Sequence, residues 1–362
     1  MATSAAETLC TPKDARRPGK SPRHAPEPIL FRSPRVESVV TGLPNLPIAG
    51  ASPLPMAGSS SGRPRLPEWF KIRPPSGEQY AAIKTALRDR GLSTVCEEAR
   101  CPNLSECWSG GKSGKGTATL MVMGGTCTRG CRFCSVPTGK PGALDIEEPR
   151  KASETIGIMG VGYVVITSVD RDDLKDGGAD HFGKVIEQCK KDHPELLVEV
   201  LTPDFQGDEA ALRRILQAKP DVVAHNIETV RRLTPGVRDR RANYDQTLRV
   251  LSAYKRLGAK HTKTSIMLGL GESVDEVAEC LRDLRDAGVD IVTFGQYLRP
   301  TQEARHLPVT EFVHPNQFTA YQKMAEGMGF LYVASGPLVR SSYKAGELFL
   351  EGLIRGANPV VP

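Results

Sequence analysis

The chain has 362 residues, 39% apolar and 25% charged, which suits one large globular domain with appendages or two modest domains. No apolar run approaches the roughly 18–20 residues that cross a bilayer, and no charged-then-apolar signal opens the chain, so a soluble, intracellular protein without membrane contact is expected. The formal charge of +6 is concentrated in residues 1–66, which hold nine Lys/Arg against four Asp/Glu and leave +1 for the rest, a poor footprint for a nucleic-acid enzyme.

Residues 1–66 also carry eleven of the 28 prolines and the stretch "GSSSG". They read as a disordered Pro/Ser/Arg-rich tail. An untargeted, bacterial-type tail on a cytoplasmic protein is expected. The alternative is a transit peptide to the mitochondrial matrix or a plastid, weakened by Glu7, Asp14, Glu27 and Glu37. At "RLPEWFKIRPPSGEQY" the composition turns globular, and "GEQYAAIKTALRDRG" predicts a helix with Tyr80, Ile83 and Leu87 on one face.

A first cysteine triplet follows in "CEEARCPNLSECW": Cys96, Cys101 and Cys107, spaced C-x4-C-x5-C. The glycines of "GGKSGKG" (110–116) suggest a phosphate loop only superficially. The first glycine of that motif would fall on Glu106, and the stretch precedes a strand instead of following one.

From residue 117 a strand-then-helix rhythm repeats. The strands "ATLMVM", "YVVITS", "LLVEVLT", "DVVAHNI", "TKTSIMLG", "DIVTFGQYL" and "FLYVASG" alternate with amphipathic segments such as "ADHFGKVIEQCKK" and "SVDEVAECLRDLRDAG". This pattern predicts parallel β/α units in a barrel or open sheet. The strands run out into Ser168-Val169-Asp170, Thr202-Pro203-Asp204, Asn226 and Glu228, and Gln296-Tyr297. Carboxyl strand ends are where α/β barrels keep their chemistry.

Directly after the first of these strands comes "CTRGCRFC", with Cys127, Cys131 and Cys134 spaced C-x3-C-x2-C. Three readings compete for the six clustered thiols. Structural zinc calls for paired knuckles closing a tetrahedron, which neither triplet supplies. Disulfides fit an oxidising compartment that nothing else in the chain suggests. An iron–sulfur cluster tolerates a fourth ligand that is not a cysteine. The isolated Cys189 and Cys280 sit in helical patterns as small buried hydrophobes.

C-x3-C-x2-C with Phe133 before the last cysteine resembles the signature of the radical S-adenosylmethionine superfamily. With "CEEARCPN…ECW", "TSVDRDDLKDGGADHF", "AHNIETV", "LGLGE", "GQYLRP" and "GPLVRSSYKAG", residues 66–356 resemble lipoyl synthases. The resemblance implies an α/β fold: a partial (β/α)6 TIM-like barrel over 117–335, an N-terminal auxiliary-cluster region over 67–116, and a C-terminal segment, 336–362, closing the site. It implies two [4Fe–4S] clusters. Cys127, Cys131 and Cys134 would hold the one whose open iron binds S-adenosylmethionine. Cys96, Cys101 and Cys107 would hold the auxiliary cluster, with Ser342 of Arg340-Ser341-Ser342-Tyr343 as fourth ligand. The implied reaction inserts two sulfurs at C6 and C8 of a protein-bound octanoyl-lysine, using two S-adenosylmethionine molecules and the auxiliary cluster as sulfur donor. The implied partners are an octanoylated carrier protein (a lipoyl domain or the glycine-cleavage H protein), a low-potential electron donor and an iron–sulfur carrier for rebuilding the cluster, with the enzyme a monomer.

Candidate cofactor contacts are Phe133, Ser168, Asp170, Asn226, Glu228, Gln296 and Tyr297, with Arg240 and Lys263 facing the cofactor carboxylate. Gly269 and Gly271 of "LGLGE" would let backbone approach the adenine. Arg171, interleaved in "SVDRDDL", argues for an internal salt-bridge network or a cofactor-binding loop rather than a divalent-cation site. The histidines form no ligand set, and His225, His261 and His306 read as structural. Another sulfur-inserting radical enzyme and a zinc-stabilised interaction module are the alternatives.

Overall fold

The computed structural model describes residues 66–70, 78–98, 101, 103, 107–108 and 117–342. The expected tail, the "GGKSGKG" stretch and Tyr343 lie outside them, apart from Leu66. Among the described residues a helix α1 (Glu78–Asp89) precedes a two-residue strand β1 (Ser93–Thr94) and a single helical turn α2 (Val95–Glu98). Ile83 and Leu87 of α1 are buried, as the sequence periodicity requires.

Seven parallel strands follow: β2 (Thr117–Val122), β3 (Tyr163–Ser168), β4 (Leu197–Leu201), β5 (Val222–Ala224), β6 (Thr262–Leu268), β7 (Ile291–Gln296) and β8 (Tyr332–Gly336). They pair in sequential order, with β1 antiparallel on β2. Between them run α3 (Glu148–Met159), α4 (Ala179–Asp192), α5 (Glu209–Gln217), the short α6 (Thr234–Val237), α7 (Tyr244–Arg256), α8 (Val274–Asp286) and α9 (Pro315–Gly327). Six β/α units and a closing strand make an open, partial barrel, because β1 and β8 form the two edges and do not meet.

Both faces of the sheet are buried, so the strands read as continuous apolar runs. One face packs on the helices: Val164, Ile166, Val198 and Val200 join Phe182 and Ile186 of α4, and Ile266 and Phe294 join Leu281 and Phe318. On the other face Tyr163, Val165, Leu197, Val222 and Ile291 form a separate cluster. Helix starts are written locally. Asn243 caps α7 by accepting from the Gln246 amide at 2.8 Å, and Ser273 forms a reciprocal capping box with Glu276 on α8. The loops at the carboxyl ends of the strands then carry the polar residues singled out above, the longest of them running from Val122 of β2 to Glu148 of α3.

Candidate active site at the carboxyl ends of the strands

The chain leaves β2 through Met123 and enters the second cysteine triplet. The loop folds back on itself: Cys127 donates its amide to Pro137 at 2.9 Å, and Gly139 returns one to the Cys127 carbonyl at 2.9 Å. Cys134 lies close enough to Cys127 and Cys131 for each thiol to feel the charge of its neighbour. Backbone amides point at the sulfurs, Arg129 and Asp170 at Cys127 (both 3.4 Å) and Asp239 at Cys131 (3.3 Å). Burial pushes the thiols up, Cys127 to about 11 and Cys131 to about 12, and raises Cys134 as well.

A lattice of arginines and carboxylates shapes this loop. Arg129, 4% exposed, sends its guanidinium to Asp172 (2.9 and 2.8 Å) and Asp204 (2.8 and 2.7 Å), with Asp170 at 3.3 Å. Such fork geometry fixes orientation as well as charge. Burial alone would raise the Asp204 carboxyl, but the hydrogen bonds and charge of Arg129 override it and hold Asp204 at about 2. Asp170 sits beside Cys127, and burial lifts it to about 6 against the pull of Arg129. Elsewhere on the loop, Asp239 accepts the Gly130 amide at 2.9 Å and Arg241 donates to the Thr128 carbonyl at 2.6 Å. His306, 1% exposed, holds the Cys134 carbonyl at 2.9 Å, in the structural role its sequence context suggested. Arg171 pairs with Asp173 at 2.8 Å, an ion pair within the "SVDRDDL" stretch.

At and beyond the carboxyl ends of the strands stand polar atoms without partners among the described residues. Ser168 Oγ at the end of β3, Asn226 Oδ1 beyond β5 and Arg238 Nε are buried and make no hydrogen bond among the described residues. Leaving such groups unpaired is costly unless a ligand completes them. Glu228 hydrogen-bonds the Asn226 side chain, bridges to Ile266 of β6 and adopts a left-handed φ of 70°. Burial raises its carboxyl, and its charge reaches Cys134. Phe133 and Tyr297 meet in one apolar cluster with Val237 and Leu270, and Tyr297 donates its hydroxyl to the Leu307 carbonyl at 2.8 Å.

Four expected contacts stand elsewhere. Lys263 is the second residue of β6 and is 2% exposed, and its ammonium meets both oxygens of the buried Glu199 at 2.8 Å. That pair lies on the sheet face turned from the helices, towards the amino ends of the strands and away from the cysteine loop. Arg240 is exposed, whereas Arg238, two residues earlier, has its charge felt by Cys131, Asp170 and Glu228. Five arginines between 231 and 241 gave the sequence no means to choose among them. Gln296 spends its amide on the loop after β7, donating to the Glu311 carbonyl (2.9 Å) and accepting from the Val313 amide (2.8 Å). Gly269 is crowded by that same Gln296 and by the Glu311 carbonyl, so its missing side chain admits protein and not a ligand. Gly271 stands free of such crowding, with Thr310 its nearest neighbour.

The first triplet meets the far end of the chain. Asn103, buried between Cys101 and Cys107, donates its side-chain amide to the Leu338 carbonyl at 2.6 Å, across 235 residues of sequence. Arg340 lies within electrostatic reach of Cys101 and donates to the Gln296 carbonyl at 3.3 Å. Ser341 and Ser342 follow it directly and are partly exposed. Burial pushes Cys96 up to about 11, with Cys101 adding to the rise. Among the described residues no three His, Cys, Asp or Glu side chains close on the spacing of a single metal ion.

Residues 121–295 match the radical SAM superfamily, and residues 52–101 match the N-terminal domain of lipoyl synthase of the radical SAM family. The lipoyl synthase of Halobacterium salinarum is 56% identical over 297 residues, spanning 82% of this chain and 94% of that one. A mitochondrial lipoyl synthase of Phytophthora infestans is 55% identical over 300 residues, covering 82% and 78%. The chain belongs to the lipoyl synthase family. Among solved structures, the FeFe-hydrogenase maturase HydG from Carboxydothermus hydrogenoformans aligns with a TM-score of 0.50 at 12% identity, over 71% of this chain and 65% of that one, a likeness of fold.

Radical SAM enzymes carry a [4Fe–4S] cluster and bind S-adenosylmethionine, and a lipoyl synthase acts on an octanoylated carrier protein. The residues fit that chemistry. Burial holds these thiols in the protonated form on their own, and a cationic centre is the kind of ligand that would stabilise thiolates in so buried a loop. The orphaned Ser168, Asn226 and Arg238 atoms offer an acceptor or donor for each polar end of an amino acid attached to a nucleoside.

Proposed function

We propose that this chain inserts two sulfur atoms, at C6 and C8, into an octanoyl group carried on a lysine of a lipoyl domain or of the glycine-cleavage H protein. In this reading Cys127, Cys131 and Cys134 hold the cluster that binds S-adenosylmethionine. Cys96, Cys101, Cys107 and Ser342 hold an auxiliary [4Fe–4S] cluster. When bound, the first cluster and S-adenosylmethionine supply a carbon radical strong enough to break unactivated C–H bonds, and the second supplies sulfur. The chain's own residues bind and orient. Ser168, Asn226 and Glu228 take the polar groups of the cofactor, and Arg238, in place of Arg240, faces its carboxylate. Phe133 and Tyr297 wall the site with apolar surface.

The observation that carries the two-cluster reading is the Asn103–Leu338 hydrogen bond, with Arg340 beside Cys101. It brings the segment bearing Ser342 to the first triplet, which a radical enzyme with one cluster has no need to do. We further propose the organisation 67–116, 117–335 and 336–362 as auxiliary-cluster region, barrel and closing segment, acting as a monomer in the cytoplasm. Organelle import is the alternative if residues 1–66 are a leader. A low-potential electron donor and an iron–sulfur carrier complete the partners. The test is anaerobic incubation with an octanoyl-lysyl peptide, S-adenosylmethionine and a reductant. Mass spectrometry is expected to show two added sulfurs, and a product without sulfur from iron-replete protein refutes the reading.

A further inference from the structure

The turn from β2 into the cysteine loop is made by an unlikely residue. Met123 adopts a left-handed φ of 66°, a conformation that side-chain-bearing residues adopt only when their surroundings impose it. It is 3% exposed, and three other segments converge on it. Its amide donates to both carboxylate oxygens of Glu148, the first residue of α3, at 3.0 and 2.9 Å. The Glu148 carboxylate is clasped in turn by His181 Nε2 of α4 at 2.6 Å. Arg171 reaches the Met123 carbonyl at 3.5 Å and, with its other nitrogen, the Gly142 carbonyl at 3.0 Å. The Met123 side chain fills the space over Gly178, where an added Cβ would collide with its sulfur.

Met123 lies four residues before Cys127, and Gly142 lies eight after Cys134. One buried polar cluster therefore grips both ends of the loop that carries the three thiols. Glu148 is 6% and His181 9% exposed, and no hydrogen bond joins either of them to a thiol. A carboxylate held on one side by histidine and spending both oxygens on a single backbone amide is arranged to fix the direction of that amide.

We propose that Glu148, braced by His181, is a positioning residue: it holds the left-handed turn at Met123 and so sets where Cys127, Cys131 and Cys134 stand. This rests on the reading of those cysteines as ligands of the cluster that binds S-adenosylmethionine. Partners that hydrogen-bond a metal ligand commonly change affinity or activity by about 10- to 100-fold when replaced, and Glu148, which acts through the loop backbone, is set at the low end of that range.

The test uses the full chain with Cys96, Cys101 and Cys107 all changed to alanine, so that only one cluster contributes. Iron content and the electron paramagnetic resonance spectrum of the reduced protein are recorded while S-adenosylmethionine is titrated. In Glu148→Ala the titration midpoint is expected to rise about 10-fold. Glu148→Gln, which keeps an oxygen for the Met123 amide and an NH2 for His181, is expected to stay near the parent. His181→Ala is expected to fall between them, and it serves alone if Glu148→Ala does not fold. An unchanged midpoint and spectrum in Glu148→Ala or His181→Ala, with lowered thermal stability only, overturns the proposal. A parent protein without iron or a reduced-cluster signal overturns the ligand reading itself, a failure visible before any Glu148 variant is made.

Discussion

Lys263→Ala separates the two roles open to this lysine. In the structure its ammonium sits 2.8 Å from each oxygen of Glu199, and Tyr163 donates its hydroxyl to Glu199 at 2.6 Å, with all three side chains 3% exposed or less. Removing one member of a buried ion pair strands the other charge in low dielectric and costs about 3–5 kcal/mol. At roughly 2–3 °C per kcal/mol for a domain of this size, Lys263→Ala is expected to lower the apparent melting temperature by about 6–15 °C. The pair itself is a weak source of net stability, because apolar replacements of similar volume are often neutral or better. Lys263→Met with Glu199→Met is therefore expected to recover most of the loss. What remains is the roughly 1–3 kcal/mol of an unpartnered Tyr163 hydroxyl, which Tyr163→Phe removes. The assay is anaerobic thermal unfolding at one scan rate, beside a titration of S-adenosylmethionine on the folded protein. Unchanged melting with weakened cofactor binding in Lys263→Ala would refute this reasoning and return the lysine to the cofactor site.

Three further outcomes follow from the same geometry. Alanine at Cys96, Cys101 and Cys107 is expected to lower the iron from about eight to about four per chain. S-adenosylmethionine cleavage should survive that change while sulfur insertion is lost, whereas alanine at Cys127, Cys131 or Cys134 should abolish cleavage; product analysis by mass spectrometry reads both. Arg238→Ala should weaken S-adenosylmethionine binding and Arg240→Ala should leave it unchanged, measured by the same titration, and the reverse order contradicts the placement of the two side chains. Asp204, ionised at about 2 in the fold against an ordinary 3.8, contributes stability that is full above the unfolded value and lost as pH falls through about 2. Asp204→Asn should therefore flatten the acid limb of a stability–pH curve, and an unaltered limb would show that Arg129 does not hold that carboxylate down.

The seven parallel strands were legible because strands buried on both faces must be apolar throughout, and "YVVITS" and "DIVTFGQ" have no other comfortable home. The sequence reading did not single out α3. Pro149 at its second position and Gly157 within it blur the period, although proline is welcome in a first turn. The cysteine triplets stood out because ligand chemistry is written in spacing. The protein partners of Lys263 and Gln296 did not, because a strand pattern says which residues share a face and not which partner waits there. Glu199 is 64 residues from Lys263 in sequence, and the 311–313 loop that takes the Gln296 amide has no pattern of its own. Arg238 and Arg240 differ only in which way one short stretch turns after α6.

The two triplets are held in different ways, and the difference follows the work proposed for each. The second is fixed by the barrel's own loops: Arg129 on Asp172 and Asp204, Asp239 on Gly130, Arg241 on Thr128, His306 on Cys134. None of these contacts uses a sulfur atom, so they leave the sulfurs free for ligands, as a preorganised site requires. Among the described residues, the first triplet is also tied by Asn103 to Leu338, in a segment beyond the last strand that can shift without breaking any strand pairing. On the proposed reading, a cluster that gives up its sulfur needs one wall able to withdraw, and Ser342, carried on that segment as an oxygen ligand, would supply such a wall.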